Sequence, residues 1–370
     1  MKHWDAIVTG SGIIGLSLAI ELNRRGLQVL IIDKGEPGRE ASWAAGGMLA
    51  DFPLELPAAL HDLAPASARM YPEFVRELED ASQMKIDLRS TGTILFTNSY
   101  HPLYNEASHS HAPTNPNPLP APLPELEPAL ATEKLSSLTT CSRPERSVDP
   151  RDLVSAAIAA AKHRGVDFSS GDQVLSVEVD NGKASGVRTN KTRFASPIVV
   201  NCAGAWSSQI AAPDTNTQVP PIPTRPVKGQ MLCVVMPRKE LIQHVIRTPD
   251  VYLIPRTDGR LLIGATQEEA GFDKQTVPAT IQNLHHAALE VAPALADARI
   301  LEAWAGLRPG TPDALPILGP TEIPGYFIAT GHFRDGILLA PVTARVMAQV
   351  IVGEQRSFDL DPFSCTRFRK

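Results

Sequence analysis

The sequence predicts an α/β fold in which a parallel sheet flanked by helices is interleaved with a smaller α+β region built on a mixed or antiparallel sheet. Continuous apolar runs typical of buried parallel strands occur near residues 7, 30, 200 and 328. A helical pattern separates the first two runs, which is the order of a βαβ unit. Between residues 216 and 309, by contrast, segments alternate between apolar and polar residues, as antiparallel strands do.

The N-terminal βαβ unit is the clearest part of the parallel layer. A strand is predicted at Asp5–Thr9, a helix at Ile13–Arg25 and a second strand at Gln28–Ile32. Gly26 ends the helix, since glycine is preferred just beyond a helix C-terminus. The second strand leads into Asp33, which completes a unit of about 30 residues.

Later segments continue both regions. Outside the alternating region, helices are predicted at Asp152–Arg164 and about Gly336–Val352. Hairpin strands are predicted at Val174–Val179 and Gly186–Thr189, and buried strands at Pro197–Gly204 and Tyr326–Thr330. The alternating strands are predicted at Gln230–Val235, Val251–Pro255 and Leu261–Thr266. We therefore predict a discontinuous first domain made of residues 1–85, 145–215 and 310–370, with a second domain made of 86–144 and 216–309 inserted into it.

Composition excludes several classes of function. The chain has 370 residues, which suggests two domains, and its net charge of −5 argues against a nucleic-acid binder. Every window of about 18 residues contains charges or strong helix breakers, so no membrane-spanning helix is expected. The four cysteines form neither a CxxC pair nor a compact disulfide framework, which favours a reducing cytoplasm.

The stretch 100–128 is rich in proline and contains His101, His109 and His111. We expect it to be an extended or partly disordered surface excursion. Histidines in such a tract have no preformed geometry, so we predict no metal site.

The first domain carries the motif Gly10-Ser11-Gly12-Ile13-Ile14-Gly15, a G-x-G-x-x-G between a strand and a helix. Gly10 permits the tight turn, Gly12 lets the backbone approach a pyrophosphate, and Gly15 lets the helix pack closely. The pyrophosphate would lie at the helix N-terminus, and Asp33 can bind ribose hydroxyls. A Rossmann-like dinucleotide site is therefore predicted. The alternative is a glycine-rich turn in another βαβ fold, and at this point both NAD and FAD are open.

Two further glycine turns favour FAD over a nicotinamide cofactor. Cys202-Ala203-Gly204-Ala205-Trp206 and Thr330-Gly331-His332-Phe333-Arg334-Asp335-Gly336 both follow strands of the parallel layer, so one extended ligand could touch three strand ends. The helix that begins near Gly336 supplies N–H donors for a ring carbonyl that becomes negative on reduction, such as the flavin C2 oxygen.

Arg308 is the strongest candidate for binding a substrate anion. It lies among Leu307, Pro309 and two glycines, and the nearest acidic residues are Glu302 and Asp313. A guanidinium in an apolar neighbourhood without a local counter-ion is suited to a carboxylate. The alternative is a structural salt bridge to a distant acidic residue.

Several motifs together resemble the D-amino-acid oxidase superfamily, and within it the bacterial glycine oxidases of thiamine biosynthesis. Besides the N-terminal fingerprint they are Ala44-Ala45-Gly46-Gly47-Met48-Leu49, Val227-Lys228-Gly229, Tyr252-Leu253-Ile254-Pro255-Arg256, Trp304-Ala305-Gly306-Leu307-Arg308-Pro309-Gly310 and Gly331-His332-Phe333-Arg334-Asp335-Gly336-Ile337-Leu338-Leu339-Ala340-Pro341. The resemblance covers essentially the whole chain and is weakest over residues 98–145. The last two motifs are the most specific.

The resemblance implies a noncovalent FAD. The cofactor-binding residues it implies are Gly10, Gly12, Ile13, Ile14, Gly15, Asp33, Lys34, Ser42, Gly46, Gly47, Met48, Val174 and Gly204, with His332, Phe333, Arg334, Asp335, Gly336, Ile337 and Leu338 along the flavin. Sarcosine oxidases of the superfamily attach flavin through a cysteine in the segment corresponding to 304–313. That segment has none here, so covalent attachment is not expected, and Cys202 is expected to be a small core residue.

For the substrate, the resemblance implies a carboxylate held by Arg308 with help from Tyr252 and Arg334. A packing role is the alternative for Tyr252, and an ion pair with Asp335 or a helix cap is the alternative for Arg334. His332 is not expected to be a general base, because removal of hydride from a neutral amine needs no base on the carbon.

Two positions depart from the family pattern. Gln267 follows Gly264-Ala265-Thr266 where glycine oxidases carry a methionine on the substrate side, so we expect it to bind substrate. A polar amide there would either admit a larger or hydroxylated substrate or alter how the reduced flavin meets oxygen. Glu40-Ala41-Ser42-Trp43 replaces a stretch rich in hydroxyl groups, which puts the exact phosphate contacts in doubt.

The predicted activity is FAD-dependent oxidative deamination of a small amino acid, namely glycine, sarcosine or a short D-amino acid. Hydride transfer to flavin N5 would give, after hydrolysis, a 2-oxo acid, ammonia or an amine, and hydrogen peroxide from oxygen. The alternatives are a D-amino-acid dehydrogenase with another electron acceptor and a flavin-binding subunit without turnover. A homo-oligomeric state is left open.

Overall fold

The computed structural model describes residues 3–52, 56–98, 117–212 and 222–369. Its strands are β1 Ala6–Thr9, β2 Val29–Asp33, β3 Met48–Leu49, β4 Leu88–Arg89, β5 Thr93–Thr97, β6 Thr139–Arg143, β7 Arg146–Val148, β8 Asp167–Ser170, β9 Val174–Asp180, β10 Lys183–Thr189, β11 Arg193–Ala195, β12 Ile198–Asn201, β13 Arg225–Val235, β14 Val245–Arg247, β15 Tyr252–Pro255, β16 Arg260–Gly264, β17 Arg299–Gly310, β18 Ile317–Pro320 and β19 Tyr326–Thr330. Its α-helices are α1 Ile13–Arg24, α2 Ala41–Ala44, α3 Leu63–Ser82, α4 Leu123–Leu126, α5 Thr132–Leu135, α6 Pro150–His163, α7 Pro278–Val291 and α8 Gly336–Val352.

The predicted parallel layer is confirmed as a sheet of strand order β18-β19-β12-β1-β2-β8. Strand β1 lies between β12 and β2 and is parallel to both, with Ala6 opposite Ile198 and Val29. All four β1 side chains are buried, as expected for a strand covered on both faces. The predicted hairpin is also present, since β9 pairs with β10 in an antiparallel ladder.

The second layer is a sheet of order β17-β13-β16-β15-β14-β5-β6. It is mixed, as predicted, because β14 and β5 are parallel while the remaining pairs are antiparallel. Its longest ladder joins β13 to β17 and extends from the pair Arg225 and Gly310 to the pair Val235 and Arg299. This ladder places Gly229 directly opposite Gly306, near Arg308.

A small third sheet, of order β3-β7-β4, lies where the two predicted domains meet. Strand β7 pairs with Met48–Leu49 on one side and with Leu88–Arg89 on the other. One predicted boundary therefore passes through this sheet. The division into two domains stays a prediction.

The proline-rich stretch falls partly outside the described residues, which exclude 99–116 together with its three histidines. From 117 onwards it contains α4, and Leu119, Leu123 and Leu126 pack against the core of the second layer. Among all the residues that the structure describes, no helix is both long enough and apolar enough to cross a membrane.

Helix α8 continues past a proline with the help of side chains from α3. Pro341 has no N–H, so it cannot donate to the carbonyl of Ile337, which instead accepts from the Tyr71 hydroxyl. Ser67 Oγ donates to Leu338 O at 2.6 Å and accepts from the N–H of Val342 at 3.3 Å. These two hydroxyl groups therefore replace hydrogen bonds that the proline disrupts.

The Tyr71→Phe substitution is expected to lower the free energy of unfolding by about 1 to 3 kcal/mol, because it leaves the carbonyl of Ile337 buried without a donor. Tyr71 is fully buried, so water cannot easily replace the hydroxyl. Urea unfolding of the variant and the wild type measures the change. Ser67→Ala should show a similar loss. Wild-type stability in both variants would contradict the proposed replacement of hydrogen bonds at Pro341 by the two hydroxyl groups.

Candidate active site

A cavity of about 410 Å³ extends from the end of β1 to the β13–β17 ladder. It brings together most of the residues that the sequence assigned to cofactor and substrate. Those that line it are Gly10, Gly12, Ile13, Ile14, Asp33, Lys34, Ser42, Gly46, Gly47, Met48, Val174, Gly204, Tyr252, Arg308, His332, Phe333, Arg334, Gly336 and Ile337. Gly15, Gln267, Asp335 and Leu338 do not line it.

The fingerprint glycines serve the tight turn and the close packing of α1. Gly10 has φ +98°, and a Cβ there would lie 2.5 Å from the carbonyl oxygen of Cys202. A Cβ on Gly15 would lie 2.0 Å from the carbonyl oxygen of Gly10. Gly15 therefore packs directly against the turn and does not line the cavity. The N–H of Ile13, at the start of α1, donates to Ser42 Oγ at 2.9 Å. The remaining hydroxyl of the 40–43 stretch therefore lies at the helix N-terminus.

The nucleotide end of the cavity is organised by the carboxylate of Asp33. Its Oδ2 accepts from the N–H and the hydroxyl of Ser11 at 2.7 and 2.6 Å, and its Oδ1 accepts from the N–H of Gly35 at 2.9 Å. Lys34 Nζ lies 3.2 Å from the ring centre of Trp206. Burial lowers the pKa of Lys34, and Glu40 and Asp33 partly oppose this shift.

At the opposite end, Arg308 lies against the backbone of β13. Its Nη1 donates to Thr266 O at 3.0 Å, and no carboxylate in the described part of the chain forms an ion pair with it. A Cβ on Gly229 would lie 2.3 Å from Nη1 and 2.4 Å from Nη2. The guanidinium therefore occupies the space that a side chain at position 229 would need. The predicted alternative of a structural salt bridge is not found among these residues.

Tyr252 lines the same end of the cavity. Its hydroxyl approaches Met231 Sδ at 3.8 Å. Burial raises the pKa of Tyr252, and the adjacent Arg308 guanidinium partly opposes this shift, so the phenol is a neutral donor at pH 7. A Cβ on Gly264 would lie 2.9 Å from the tyrosine hydroxyl. Glycines thus make room for both side chains that the sequence assigned to the substrate carboxylate.

The turn that precedes α8 contains three titratable residues that differ in their burial, namely His332, Arg334 and Asp335. His332 is 3% exposed, and its Nε2 lies 3.1 Å from Thr343 Oγ1. Burial lowers the pKa of His332 to about 3, which makes it a weak base at neutral pH. Arg334 is exposed and lies 5.6 Å from the ring centre of Phe333. Burial raises the pKa of Asp335, the residue before α8, to about 6.

Neutral His332 should make the protein sensitive to acid. Its pKa in the folded state, about 3, is below the ordinary histidine pKa of about 6.5, so the unfolded chain binds more protons between these values. The stabilisation is fully present above pH 6.5 and is lost as the pH falls. Between pH 7 and pH 5 we expect the wild type to lose about 2 kcal/mol more than His332→Gln.

Thermal unfolding over this pH range measures the difference. His163→Gln, which replaces an exposed histidine, is the control and should follow the wild type. Parallel pH dependence in His332→Gln and the wild type would show that His332 is not responsible.

The predicted substrate contact of Gln267 stays a prediction, and Gln267 is not among the residues that line the cavity. Thr266 Oγ1 accepts from the N–H of Gln230 at 2.9 Å, and Gln230 Nε2 donates to Glu268 Oε1 at 2.9 Å. The side chains on both sides of Gln267 are therefore turned toward β13. Gln267 itself is exposed.

Besides Gly15, two of the predicted cofactor contacts lie outside the lining. Leu338 is buried in the first core, where α8 packs on α1 and α3. Asp335 is the residue before the first turn of α8 and donates its N–H to His332 O. Both therefore support the turn without facing the cavity.

Some cavity residues were not predicted. Met231 lies two residues beyond Gly229 on the same face of β13, and this spacing could have identified it. Arg247 lies opposite Tyr252 in the β14–β15 ladder and also lines the cavity. Its position depends on the register of a hairpin, which the sequence alone does not define. Cys202, predicted to be a core residue, is buried and lines the cavity, and burial raises the pKa of its thiol.

The cavity fits FAD. The glycine turn and the start of α1 provide backbone N–H groups for a pyrophosphate, and Asp33 lies where a ribose would be bound. A Cβ on Gly46 would lie 2.8 Å from Ile254 Cδ1, so this cavity-lining segment can pack closely against β15 only without a side chain at that position. The start of α8 supplies a second set of N–H groups at the substrate end.

Comparison with known proteins agrees with this assignment. The family model DAO, described as FAD dependent oxidoreductase, matches residues 5–350. Glycine oxidase of Geobacillus kaustophilus is 32% identical over 99% of this chain and 98% of that protein. A crystal structure of glycine oxidase from the same organism superposes with a TM-score of 0.87 at 29% identity, covering 100% of both chains.

Other relatives carry different names. Hydrogen cyanide synthase subunit HcnC of Pseudomonas aeruginosa is 32% identical over 100% of this chain and 97% of that protein. Bifunctional protein ThiO/ThiG of Synechocystis sp. is 34% identical over 98% of this chain, which spans only 54% of that protein's length. The fold, the cavity and these matches lead to one assignment: the chain belongs to the DAO family and is an FAD-dependent oxidoreductase of the glycine oxidase type.

Proposed function

We propose that this enzyme oxidises a small amino acid, namely glycine, sarcosine or a short D-amino acid, with oxygen as the electron acceptor. The overall reaction converts the amino acid, oxygen and water into a 2-oxo acid, ammonia or an amine, and hydrogen peroxide. The observation that carries the proposal is the guanidinium of Arg308, which lies beside Tyr252 and has no carboxylate partner among the described residues. The names of the glycine oxidase relatives support the same substrate class.

The protein's contribution is to bind and orient the substrate. Arg308 and Tyr252 hold the carboxylate, which leaves the α-carbon and its amine as the part that reacts. FAD, when bound, would supply a two-electron acceptor. Positioning of this kind can account for roughly 7 to 11 kcal/mol of a barrier. His332 is too weak a base to take a proton at neutral pH, so we propose that the amine binds in its neutral form.

An anaerobic panel of glycine, sarcosine, D-alanine, D-proline and L-proline tests the proposal. Each amino acid is mixed with the holoenzyme, and loss of the flavin absorption band in the visible is followed. Bleaching by glycine or sarcosine is the expected result. Bleaching only by D-proline would move the substrate class toward larger D-amino acids, and no bleaching by any member would refute the proposal.

A second candidate is a flavin subunit that passes electrons to an acceptor other than oxygen. Hydrogen cyanide synthase subunit HcnC, at 32% identity over the whole chain, is named as a subunit of a larger enzyme, which supports the subunit part of this candidate. Oxygen consumption with the best amino acid of the panel, measured with and without an artificial dye acceptor, distinguishes the two. An oxidase consumes oxygen without the dye, whereas the second candidate turns over only when the dye is added.

A further inference from the structure

Arg256 follows directly on β15 and is one of the most deeply buried side chains of the described chain, with 1% exposure. Its Nη2 donates to the carbonyl oxygen of Gly46 at 2.7 Å. Its Nε lies 3.7 Å from Asp149 Oδ2, which provides a nearby negative charge. The guanidinium therefore connects the end of β15 in the second sheet to the cavity-lining segment between α2 and β3.

This contact orients the peptide between Gly46 and Gly47. In a trans peptide the C=O and the following N–H point in opposite directions. Because the carbonyl of Gly46 points to Arg256 in the interior, the N–H of Gly47 points to the other side, where both glycines line the cavity. The carbonyl of Gly47 in turn accepts from the N–H of Val148 at 2.9 Å, which holds the next peptide as well.

The oriented peptide lies at the reacting end of the cavity. A Cβ on Gly46 would lie 3.6 Å from Tyr252 Cε2 and 3.8 Å from Met231 Cε. The backbone therefore passes against the ring of Tyr252, beside Arg308. The part of FAD that accepts electrons must reach this end, because the substrate site is there.

We propose that Arg256 is a positioning residue for electron acceptance, acting through the Gly46–Gly47 peptide. A guanidinium bound to the carbonyl fixes the peptide plane and polarises it, which makes the N–H of Gly47 a stronger donor. A preorganised donor of this kind favours negative charge that develops on a ring during reduction. Arg256 thus raises the reduction potential of bound FAD without touching substrate or cofactor.

Arg260 provides a matched control for a purely structural role. Its Nη2 donates to the same Asp149 Oδ2, at 2.8 Å, and Asp149 accepts from the N–H of Arg151 at the start of α6. Both arginines therefore belong to the same charged cluster. Only Arg256 bonds to Gly46.

The test measures the reduction potential of bound FAD by equilibration with reference dyes, in the wild type and in Arg256→Met, Arg256→Lys and Arg260→Met. We expect the FAD of Arg256→Met to be harder to reduce, with the equilibrium against the dye shifted about tenfold, the scale of one hydrogen bond to a charged group. Arg256→Lys should recover part of the shift, and Arg260→Met should match the wild type.

A wild-type potential in Arg256→Met, or an equal shift in Arg260→Met, would overturn the proposal. If Arg256→Met does not fold, Arg256→Lys decides, since a lysine retains the charge but not the fork, and a potential equal to the wild type would then also refute the role. The measurement needs no amino acid. Its outcome is therefore independent of the substrate proposed above.

Discussion

Arg308→Ala is expected to lower kcat/KM by the equivalent of about 3 to 5 kcal/mol of transition-state stabilisation, mostly through a higher KM. The substrate carboxylate would lose the guanidinium of Arg308, which among the described residues has no carboxylate of the protein as a partner and is therefore available to bind it. Tyr252 would remain, but a neutral phenol cannot replace a bidentate guanidinium. The loss should therefore be larger than for any other single side chain of the substrate end.

Steady-state kinetics with the best amino acid of the panel measure the effect. Arg308→Lys retains the charge but not the planar fork, so it should give an intermediate kcat/KM. Arg299→Ala, at the exposed opposite end of the same strand, is the matched control and should behave as the wild type. Unchanged kcat/KM in Arg308→Ala would remove Arg308 from the mechanism.

Gly229→Ala is expected to lower kcat/KM by about 100-fold, the effect of displacing a binding group by roughly 1 Å. The new Cβ would lie 2.3 to 2.6 Å from three atoms of the Arg308 guanidinium, which would have to leave its present position. The side chain is long and flexible, so the move costs little stability. We therefore expect a large kinetic defect with an almost unchanged midpoint of thermal unfolding.

The double variant separates this explanation from a general disturbance of β13. If Gly229→Ala acts only by moving Arg308, it should have little further effect in an Arg308→Ala background, because the two substitutions then remove the same interaction. Additive losses in the double variant would show that Gly229 matters for another reason. Wild-type kinetics in Gly229→Ala would contradict the geometry described here.

The parts of the fold that could be predicted from sequence are those with a local pattern. The βαβ unit has continuous apolar strands, a helical period and a glycine at each turn, and the helix Gly336–Val352 was predicted with the bounds it has. Strands β8 and β18 were not predicted. Asp167–Ser170 is polar and short, and Ile317–Pro320 contains a glycine and a proline, so neither has a strand pattern of its own.

The substrate end was only partly predictable, because its geometry depends on contacts between distant segments. Arg308 could be identified from its apolar neighbours, but the contact with Gly229 requires the register of the β13–β17 ladder. Arg256 looks in the sequence like any strand-end arginine, and its role arises from a carbonyl 210 positions away. The position of Gln267 relative to the cavity also depends on distant contacts, since its neighbours Thr266 and Glu268 bond to Gln230 of β13.

The bonds from Tyr71 and Ser67 to the backbone around Pro341 connect α3 to the start of α8, which lines the cavity, so we expect changes in α3 to affect how firmly FAD is held. Helix α3 contributes no residue to the cavity, yet Tyr71 and Ser67 determine how the opening turn of α8 is directed toward it. Engineering for thermal robustness that repacks α3 should therefore be screened for loss of colour on gel filtration as well as for melting temperature. Redesign of substrate range can leave this helix untouched.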